Sequence, residues 1–385
     1  MKILNISLDK NILSPQGSAN GASGIPSAGK KDFAVQKRIL EYGELVEQYD
    51  VIVLGDQNNS FNLSEKVKIL SVSAGNKVLG FLRLKLLVWK TLRKEKYDLI
   101  TVQDSYFIGF LALQMARVFK IGLEIQVHGF EKFQGIRKII SKYVLKRADS
   151  VRVVSERLKK EMIEEFQVKE NKIVVIPIYV ELETRSIASV QNEIVETQDL
   201  ASAKNNDNFI FLTVGRLVPV KNIEIQIDAV ANLKDKFKNI ELWIIGDGPE
   251  RKDYELRIKK YGLEDRIKLL GYQNDLDKFY KQADVFLLTS NSEGYGMVIV
   301  EAANHGLPII MTDVGCAGEF IKNEESGIVI DAKNRDFLEK AMIRLIENED
   351  LRMRLGKNAQ NSIKNLLNKE ETLNLYKKSW EKAII

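Results

Sequence analysis

Short apolar runs alternate with amphipathic helical patterns along the chain of 385 residues. Runs of strand length that are each followed by a helical period are typical of parallel α/β sheets. In the first half the pattern predicts strands near 2–8, 50–55, 67–73, 98–103, 123–129, 150–155 and 172–177, and helices near 31–47, 77–96, 106–118, 131–147 and 156–166. In the second half it predicts strands near 209–215, 240–246, 266–271, 285–290, 308–312 and 326–330. The expected fold class is therefore α/β.

A polar segment between the two halves, residues 184–208, is rich in Ser, Asn and Gln and predicts a linker or mobile loop. The length of the chain allows two domains with complete cores. We therefore expect an N-terminal domain over 1–183 and a C-terminal domain over 209–365, each doubly wound and Rossmann-like. The last residues, 366–385, are expected to form a helix that packs back on the N-terminal domain.

The composition is that of an ordinary globular protein, with 45% hydrophobic and 29% charged residues. Cys316 is the one cysteine, which excludes an internal disulfide and fits a reducing compartment. No stretch resembles a signal peptide, and no uninterrupted apolar segment reaches about 18 residues, the length that crosses a bilayer. The expected location is the cytoplasm.

Positive charge is concentrated in residues 77–160, which hold 19 basic and 7 acidic side chains. Helices 77–96 and 131–147 carry much of this charge together with apolar residues. Such helices can lie on anionic lipid at the inner face of the cell membrane, or they can pack on a sheet and leave a basic face in water. Both interpretations stay open. A nucleic-acid partner is the weakest option, because the patch lacks the interleaved surface aromatics of a stacking platform.

Unusual residues of the second half stand where predicted strands end. Ligands of doubly wound sheets bind beyond the carboxyl ends of the strands. The residues in question are Gly215-Arg216, Gly246-Asp247-Gly248, Gly271-Tyr272 and Thr289 to Glu293. Because the carboxyl ends of parallel strands meet at one edge of a sheet, we expect these residues to line a single crevice.

Two cations in the segment VGRLVPVKN indicate an anion site. Arg216 follows a strand, and Lys221 stands where a helix from Asn222 is expected to begin. Two cations and a helix N-terminus form a clamp for a diphosphate, although each cation alone could equally be a surface residue. Gly246 and Gly248 allow a nucleotide to lie against the backbone, or they simply form a strand-to-helix turn.

Two carboxylates in the segment SEGYGMVIVE complete the candidate site. Glu293 lies in a Gly-rich loop. Glu301 lies in an almost wholly apolar helix, where a carboxylate is costly to bury unless it is hydrogen-bonded. Glycines at the start of this helix let N–H groups approach an anionic ligand closely. The segment therefore offers an anion site and two acceptors for hydroxyl groups, which together suit a phosphorylated sugar.

The segments GRLVPVKN, GDGPE, LGY and SEGYGMVIVEAANHGLPII, in this order and spacing, resemble the C-terminal domain of glycosyltransferase family 4. The resemblance is strong over residues 205–350 and looser in the first half. It implies a retaining enzyme of GT-B architecture, in which two doubly wound, Rossmann-like domains face a cleft.

The resemblance also implies roles for the residues of these motifs. Arg216 and Lys221 would hold the diphosphate of the donor and stabilise the leaving nucleotide. Glu293 would support the transferred sugar, and Glu301 would bind the ribose hydroxyls. The other donor-binding residues are Gly215, Gly246, Asp247, Gly248, Tyr272, Gly294, Tyr295, Gly296 and Met297.

In the first half, His128 follows the predicted strand LEIQV. A lone histidine is more often structural, but the family places a histidine here beside the donor sugar, so His128 is a candidate catalytic residue. The segment 15–31 resembles the family's glycine-rich loop, which faces donor and acceptor. The resemblance therefore places Gly29 and Lys30 on the acceptor side.

The function that the resemblance implies is transfer of a sugar from a nucleotide-diphosphate-sugar to a hydroxyl of a lipid-linked or cell-surface glycan. No cofactor or metal is expected. Asp275 and Asp277 have the DxD spacing of a metal motif, but they open a predicted helix, where the dipole alone favours carboxylates. A nucleotide-sugar epimerase of the same fold and a non-catalytic nucleotide-sugar-binding protein are the alternatives. The spacing of Glu293 and Glu301 speaks against the first, and only turnover excludes the second.

Overall fold

The computed structural model describes residues 1–13, 29–129, 135–179, 208–332 and 335–384. The chain divides into two units, Met1–Pro177 with Glu370–Ile385 and Ile178–Lys369. Each unit is built on one mostly parallel sheet, so the predicted α/β class is confirmed. The predicted linker over 184–208 lies outside the described residues except for Asn208.

The first unit contains the strands β1 (Lys2–Ser7), β2 (Gln48–Gly55), β3 (Asn59–Asn62), β4 (Lys68–Ser73), β5 (Leu99–Val102), β6 (Gly122–Val127), β7 (Ser150–Val153) and β8 (Ile173–Val175). They form one sheet in the order β3-β4-β2-β1-β5-β6-β7-β8, in which β3 alone of these strands runs antiparallel to its neighbour. The edge strand β3 was not predicted, because its sequence NSFN is polar and mostly exposed.

The described helices of this part of the chain are α1 (Gly29–Glu44), α2 (Lys77–Lys94), α3 (Phe107–Phe119), α4 (Ile136–Arg147) and α5 (Glu156–Glu164). Side-chain caps fix two of the helix starts. Asn76 accepts the N–H of Leu79 at 2.8 Å ahead of α2. Ser155 accepts the N–H of Leu158 at 3.2 Å ahead of α5. Across the described ranges, no helix has both the length and the apolar character needed to cross a bilayer.

The second unit contains β9 (Phe209–Val214), β10 (Ile240–Ile245), β11 (Ile267–Gly271), β12 (Val285–Leu288), β13 (Ile309–Thr312) and β14 (Ile328–Ile330). Its helices are α6 (Glu224–Leu233), α7 (Arg251–Tyr261), α8 (Asp277–Gln282), α9 (Met297–Asn304), α10 (Arg335–Glu347) and α11 (Glu349–Ser362). The strands are parallel in the order β11-β10-β9-β12-β13-β14. The chain therefore changes direction across the sheet between β9 and β12, the place where doubly wound folds bind ligands.

The last helix, α12 (Lys369–Ala383), belongs to the first unit. Trp380 is fully buried there, with its ring centroid 5.8 Å from that of Tyr49. The hydroxyl of Ser379 donates a hydrogen bond of 2.6 Å to Glu124. Burial of an aromatic side chain and satisfaction of a buried carboxylate together hold α12 on this unit.

A buried ion pair, which sequence reasoning did not anticipate, lies in the same region. Arg152 Nε is 3.5 Å from Oε1 of Glu124, and both side chains are almost completely buried. The hydroxyl of Thr101 donates a further bond of 2.6 Å to Oε2 of Glu124. The carboxylate is thus satisfied from β5, β7 and α12 at once, which ties these elements together.

Candidate functional site

The loop after β9 and the loop after β12 carry the central contact of the candidate site. The ammonium group of Lys221 contacts Oε1 of Glu293, and the hydroxyl of Ser290 donates a bond of 2.7 Å to the same oxygen. The two charged side chains expose 20% and 14% of their surface, respectively. Because water screens such a pair incompletely, the charges act strongly on each other and on any ligand beside them.

Buried polar side chains fix the backbone that presents Lys221. Gln226 Nε2 donates a bond of 2.7 Å to the hydroxyl oxygen of Thr289. That hydroxyl lies 3.2 Å from the carbonyl oxygen of Lys221 and 3.1 Å from that of Asn222. Gln226 and Thr289 are both buried, so they connect the turn after β9 to the end of β12 without direct access to solvent.

The helix expected to begin at Asn222 begins at Glu224 instead. Asn222 has a left-handed backbone with φ of 51°, and a 3-10 turn, Pro219–Lys221, precedes it. A left-handed residue cannot continue the helix, since right-handed dihedrals are required there. Lys221 therefore reaches the site from a turn and does not stand in the first turn of a helix.

The side chain of Lys221 lies over Gly215. A Cβ atom at Gly215 would be 3.5 Å from Lys221 Cε, so the glycine leaves room for the lysine stem. Arg216, the next residue, is exposed. The structure thus brings Gly215, Lys221 and Glu293 together at the carboxyl ends of β9 and β12, and Arg216 directly follows Gly215.

The glycines after β10 are required by packing between loops. A Cβ atom at Gly246 would lie 1.8 Å from the carbonyl oxygen of Gly215, and Gly246 has φ of +134°. A Cβ atom at Gly248 would lie 2.3 Å from the carbonyl oxygen of Leu217. Asp247 is exposed and accepts the N–H of Gly248 at 2.8 Å. The turn interpretation therefore accounts for Gly246 and Gly248, and it leaves the nucleotide interpretation open.

The segment from Glu293 to α9 is held against Gly315. A Cβ atom at Gly315, which has φ of +56°, would lie 3.0 Å from Glu293 Cβ and 2.7 Å from the carbonyl oxygen of Tyr295. The Tyr295 side chain is buried, with its ring centroid 6.0 Å from that of Phe320. Only the backbone of Tyr295 is thus available to a ligand. The neighbouring predicted residues are the half-buried Gly294 and Gly296 and the exposed Met297 and Tyr272.

Glu301 lies on α9 as a half-buried carboxylate with one defined partner. The hydroxyl of the buried Tyr280 donates a bond of 2.8 Å to its Oε2 atom. Burial raises the pKa of Glu301 above its usual value, and the hydrogen bond from Tyr280 opposes that rise. The hydrogen-bond donor that this carboxylate was expected to need is thus Tyr280 on α8.

Asp277 of the DxD segment is already engaged by a lysine and a histidine. Its carboxylate lies 2.6 Å from Lys281 Nζ and 2.7 Å from His305 Nε2. The hydrogen bond from Lys281, followed by that from His305, lowers the pKa of Asp277 below its usual value. The ring of His305 also stacks on that of Tyr280 at 4.9 Å. In the described part of the chain, no group of three or more His, Cys, Asp or Glu residues could hold a metal ion.

His128 lies in the first unit, beside a cavity of about 340 Å³ at the carboxyl ends of β1, β5 and β6. Its Nε2 atom is 3.4 Å from Oε1 of Gln126. Loss of water around the ring, then the charges of Arg152 and Arg38, lower its pKa below the usual value. The residue is nevertheless exposed at the cavity rim, so the loss of water is partial. The lowered pKa still favours the uncharged imidazole at neutral pH.

The acceptor-side candidates Gly29 and Lys30 form the start of α1. The side chain of Lys30 and most of the loop 15–31 lie outside the described residues.

The sequence placed Thr289 and Ser290 in the segment expected to line the crevice, but it did not indicate which groups they contact. Gln226 and Tyr280, which position Thr289 and Glu301, were not predicted. A polar Gln inside the apolar run of α6 was the one available signal, because buried polar groups need partners.

Two family models match this chain. Residues 195–362 match the model described as glycosyl transferases group 1, and residues 43–184 match the model described as Glycosyltransferase Family 4. A relative from Escherichia coli, UDP-Gal:alpha-D-GlcNAc-diphosphoundecaprenol alpha-1,3-galactosyltransferase, is 29% identical over 353 residues, which cover 87% of this chain and 90% of the relative.

Solved structures share the fold over nearly the whole chain. Sucrose-phosphate synthase from Thermosynechococcus elongatus aligns with a TM-score of 0.75 at 20% identity, covering 99% of both chains. Anabaena HepE in complex with UDP-glucose aligns with a TM-score of 0.71 at 20% identity, covering 99% of this chain and 98% of HepE. At this level of identity the likeness establishes the fold alone.

Proposed function

Since the chain belongs to glycosyltransferase family 4, we propose that it moves a sugar from a UDP-sugar to a hydroxyl of a lipid-linked glycan, with retention of the anomeric configuration. The Escherichia coli relative is named for a UDP-sugar and a diphosphoundecaprenol acceptor. The fold neighbour HepE was solved with UDP-glucose. Retention is the course implied by the family. The observation that carries the proposal is the contact of Lys221 with Glu293 at the switch point between β9 and β12.

Arg216 and Lys221 supply the electrostatic part of the mechanism. As the bond between the sugar and UDP breaks, negative charge grows on the diphosphate. Charge-assisted hydrogen bonds from a guanidinium and an ammonium group stabilise that charge and lower the barrier. The contact of Lys221 with Glu293 holds the ammonium group in position before the donor arrives, so little reorganisation is needed.

Glu293 and Glu301 serve as acceptors of hydrogen bonds and do not act as a general acid and base. Glu293, held by Lys221 and Ser290, would accept hydrogen bonds from hydroxyl groups of the transferred sugar near its anomeric carbon. Glu301, held by Tyr280, would accept hydrogen bonds from the ribose hydroxyls. Fixed carboxylates orient the donor, and orientation of the reacting groups is itself a large part of catalysis.

Protein cations take the place of a metal in this proposal. Asp275 and Asp277 would not bind a metal ion, because Lys281 and His305 already contact the Asp277 carboxylate. We expect the rate of transfer to be unchanged in excess EDTA. A rate that is abolished by EDTA and restored by Mg²⁺ or Mn²⁺ would overturn this part of the proposal.

The acceptor is proposed to be a glycan carried on a membrane lipid. His128, Gly29 and Lys30 are the candidate acceptor-side and sugar-side groups of the first unit. The neutral imidazole of His128 could donate or accept one hydrogen bond to a sugar hydroxyl.

A nucleotide-release assay tests the proposal. The full chain is incubated with UDP-, GDP- and ADP-sugars, each with and without a sugar-diphosphate-polyprenol acceptor, and both the nucleotide and the lipid product are measured. We expect release from a UDP-sugar that rises with acceptor and matches the lipid product in amount. Isomerised sugar without acceptor would indicate an epimerase, and binding without turnover would indicate a non-catalytic protein. Either result contradicts the proposal.

A further inference from the structure

Three helices of the first unit, α2, α3 and α4, lie side by side, with α3 in contact with both others. They are the crossover connections from β4 to β5, from β5 to β6 and from β6 to β7. Because right-handed crossovers that advance in one direction lie on one face of a sheet, all three helices cover the same face. We call their outward side the α2–α4 surface.

Exposed apolar side chains are concentrated on the α2–α4 surface. Eighteen large hydrophobic side chains are exposed among the described residues, and eleven of them belong to these three helices. Chance distribution does not produce this concentration, since the helices make up a small part of the chain. The eleven are Val78, Leu79, Leu82, Leu86, Trp89, Phe107, Phe110, Val118, Ile136, Ile139 and Tyr143.

Helix α2 is apolar on two faces, which a helix packed on a sheet does not require. Leu84 and Val88 are completely buried toward the sheet. Val78, Leu82 and Leu86 follow one another at four-residue spacing and expose 71%, 50% and 59% of their surface. Residues four apart lie on one face of a helix, so these three form a stripe on the side away from the sheet.

Aromatic contacts make the apolar surface continuous from one helix to the next. The ring of Trp89 on α2 lies 5.1 Å from that of Phe119 at the end of α3. The ring of Phe110 on α3 lies 6.1 Å from that of Tyr143 on α4. Contiguous exposed apolar patches on soluble proteins mark sites of interaction with other proteins or with membranes.

The charge of the same helices is of one sign. Helices α2, α3 and α4 carry twelve basic and no acidic residues. Two of the twelve, Arg117 and Lys138, pair with Asp149 and Glu165 beyond the helices. The guanidinium of Arg147 lies 3.7 Å over the ring of Tyr143, so charge and apolar area are interleaved.

We propose that the α2–α4 surface rests on an anionic lipid bilayer, with its apolar side chains at the acyl boundary and its basic side chains among the headgroups. A second copy of the chain is the poorer occupant, because each such surface carries a net positive charge and two of them would repel each other. The inference rests on the proposed function in one respect: a membrane contact would bring the site to the lipid-linked acceptor.

Vesicle co-sedimentation of the full chain tests the surface directly. Vesicles of phosphatidylglycerol and phosphatidylcholine are compared with vesicles of phosphatidylcholine alone at low and high salt. We expect binding to the anionic vesicles that weakens at high salt. The double variant Lys85→Gln/Lys90→Gln should bind about 25-fold more weakly, since each basic residue near the surface contributes about fivefold.

Apolar variants separate insertion from simple charge attraction. Leu82→Ser/Leu86→Ser should lower the vesicle affinity at least about tenfold, because both side chains lose their burial in the interface. The matched control Leu256→Ser/Met353→Ser changes two similarly exposed residues, 67% and 64%, in the second unit. The control should bind like the parent protein. Equal binding by both double variants would overturn the proposal.

The outcome is separable from that of the proposed function. Nucleotide release with acceptor dispersed in detergent should be the same in all these variants and in the parent, which also shows that they fold. A parent protein that transfers sugar but ignores anionic vesicles refutes the surface alone. A dimer that the Leu82→Ser/Leu86→Ser change dissociates in the absence of lipid would assign the surface to a second copy and also refute the proposal.

Discussion

The hydroxyl of Tyr280 donates a hydrogen bond of 2.8 Å to Oε2 of Glu301. Burial raises the pKa of Glu301, and this hydrogen bond lowers it, so the tyrosine favours the ionised form. It also fixes the carboxylate, which leaves Oε1 as the atom that we expect to meet the ribose. Tyr280 is therefore inferred to be a positioning residue for the donor.

Replacement of Tyr280 by Phe should shift the pH dependence of donor use. Without the hydrogen bond the pKa of Glu301 rises further. As pH is lowered, Glu301 therefore becomes protonated at a higher pH than in the parent enzyme. We expect the acidic limb of the kcat/KM profile for the donor to move to higher pH, with the KM for the donor rising first on the acidic side. At alkaline pH the variant should approach the parent enzyme.

Tyr254→Phe is the matched control, because Tyr254 is also a buried tyrosine of the second unit, on α7. Its profile should coincide with that of the parent enzyme. An acidic limb that is the same in Tyr280→Phe and in the parent would show that Tyr280 does not act through Glu301.

The contact between Lys221 and Glu293 should contribute to the free energy of unfolding. Lys221→Met leaves the mostly buried Glu293 carboxylate without its cation, which should cost about 1–3 kcal/mol in free energy of unfolding. Urea denaturation of the variant and of the parent protein measures the difference.

The double variant Lys221→Met/Glu293→Gln separates folding from catalysis. It removes both charges, so its free energy of unfolding should return toward that of the parent, while sugar transfer stays lost. Recovery of transfer together with stability would contradict the roles assigned to both residues.

Gly246 should tolerate no side chain. Gly246→Ala places a Cβ atom 1.8 Å from the carbonyl oxygen of Gly215, at φ of +134°, so the loops after β9 and β10 must separate. We expect a loss of more than about 4 kcal/mol in free energy of unfolding. Gly262→Ala is the control. Gly262 has φ of +62°, and a Cβ atom there would have no heavy atom beyond its chain neighbours within 4 Å. The cost in free energy of unfolding should therefore be about 1–2 kcal/mol. Equal costs in the two variants would contradict the packing explanation.

Replacing one residue of the buried ion pair Arg152–Glu124 should destabilise the protein more than replacing both. Glu124→Gln leaves the Arg152 guanidinium buried and unpaired, which should cost about 3–5 kcal/mol in free energy of unfolding. Glu124→Gln/Arg152→Met should recover part of that loss, since no isolated charge is then buried. Chemical denaturation of both variants measures this, and a double variant less stable than Glu124→Gln would contradict it.

The sequence predicted the strands and helices well where hydrophobic periodicity was strong, as in β10 and α2. It missed β3, because a polar edge strand such as Asn59–Asn62 has no apolar alternation and is defined by pairing with β4. It also began α6 two residues early, because nothing in the residue Asn222 reveals that its backbone is left-handed. Both errors concern geometry that neighbouring elements impose.

The residues of the candidate site that follow strand ends could be predicted from the sheet topology alone. Gly215, Lys221 and Glu293 follow strand ends that must meet at one edge of a parallel sheet. The contact of Tyr280 with Glu301 joins residues on α8 and α9, and helix faces find each other only after packing. The same holds for the pairing of Glu124 with Arg152 and Ser379, whose positions in the sequence are far apart.

The rate of UDP release in the presence of a lipid-linked acceptor tests the central claim most directly. The claim is that Arg216 and Lys221 stabilise the departing diphosphate. Arg216→Ala should lower kcat by about 100- to 1000-fold, the usual cost of losing one preorganised charged donor, while Lys259→Ala, an exposed lysine of α7, should stay within about twofold of the parent. Undiminished transfer by a folded Arg216→Ala enzyme would contradict the claim.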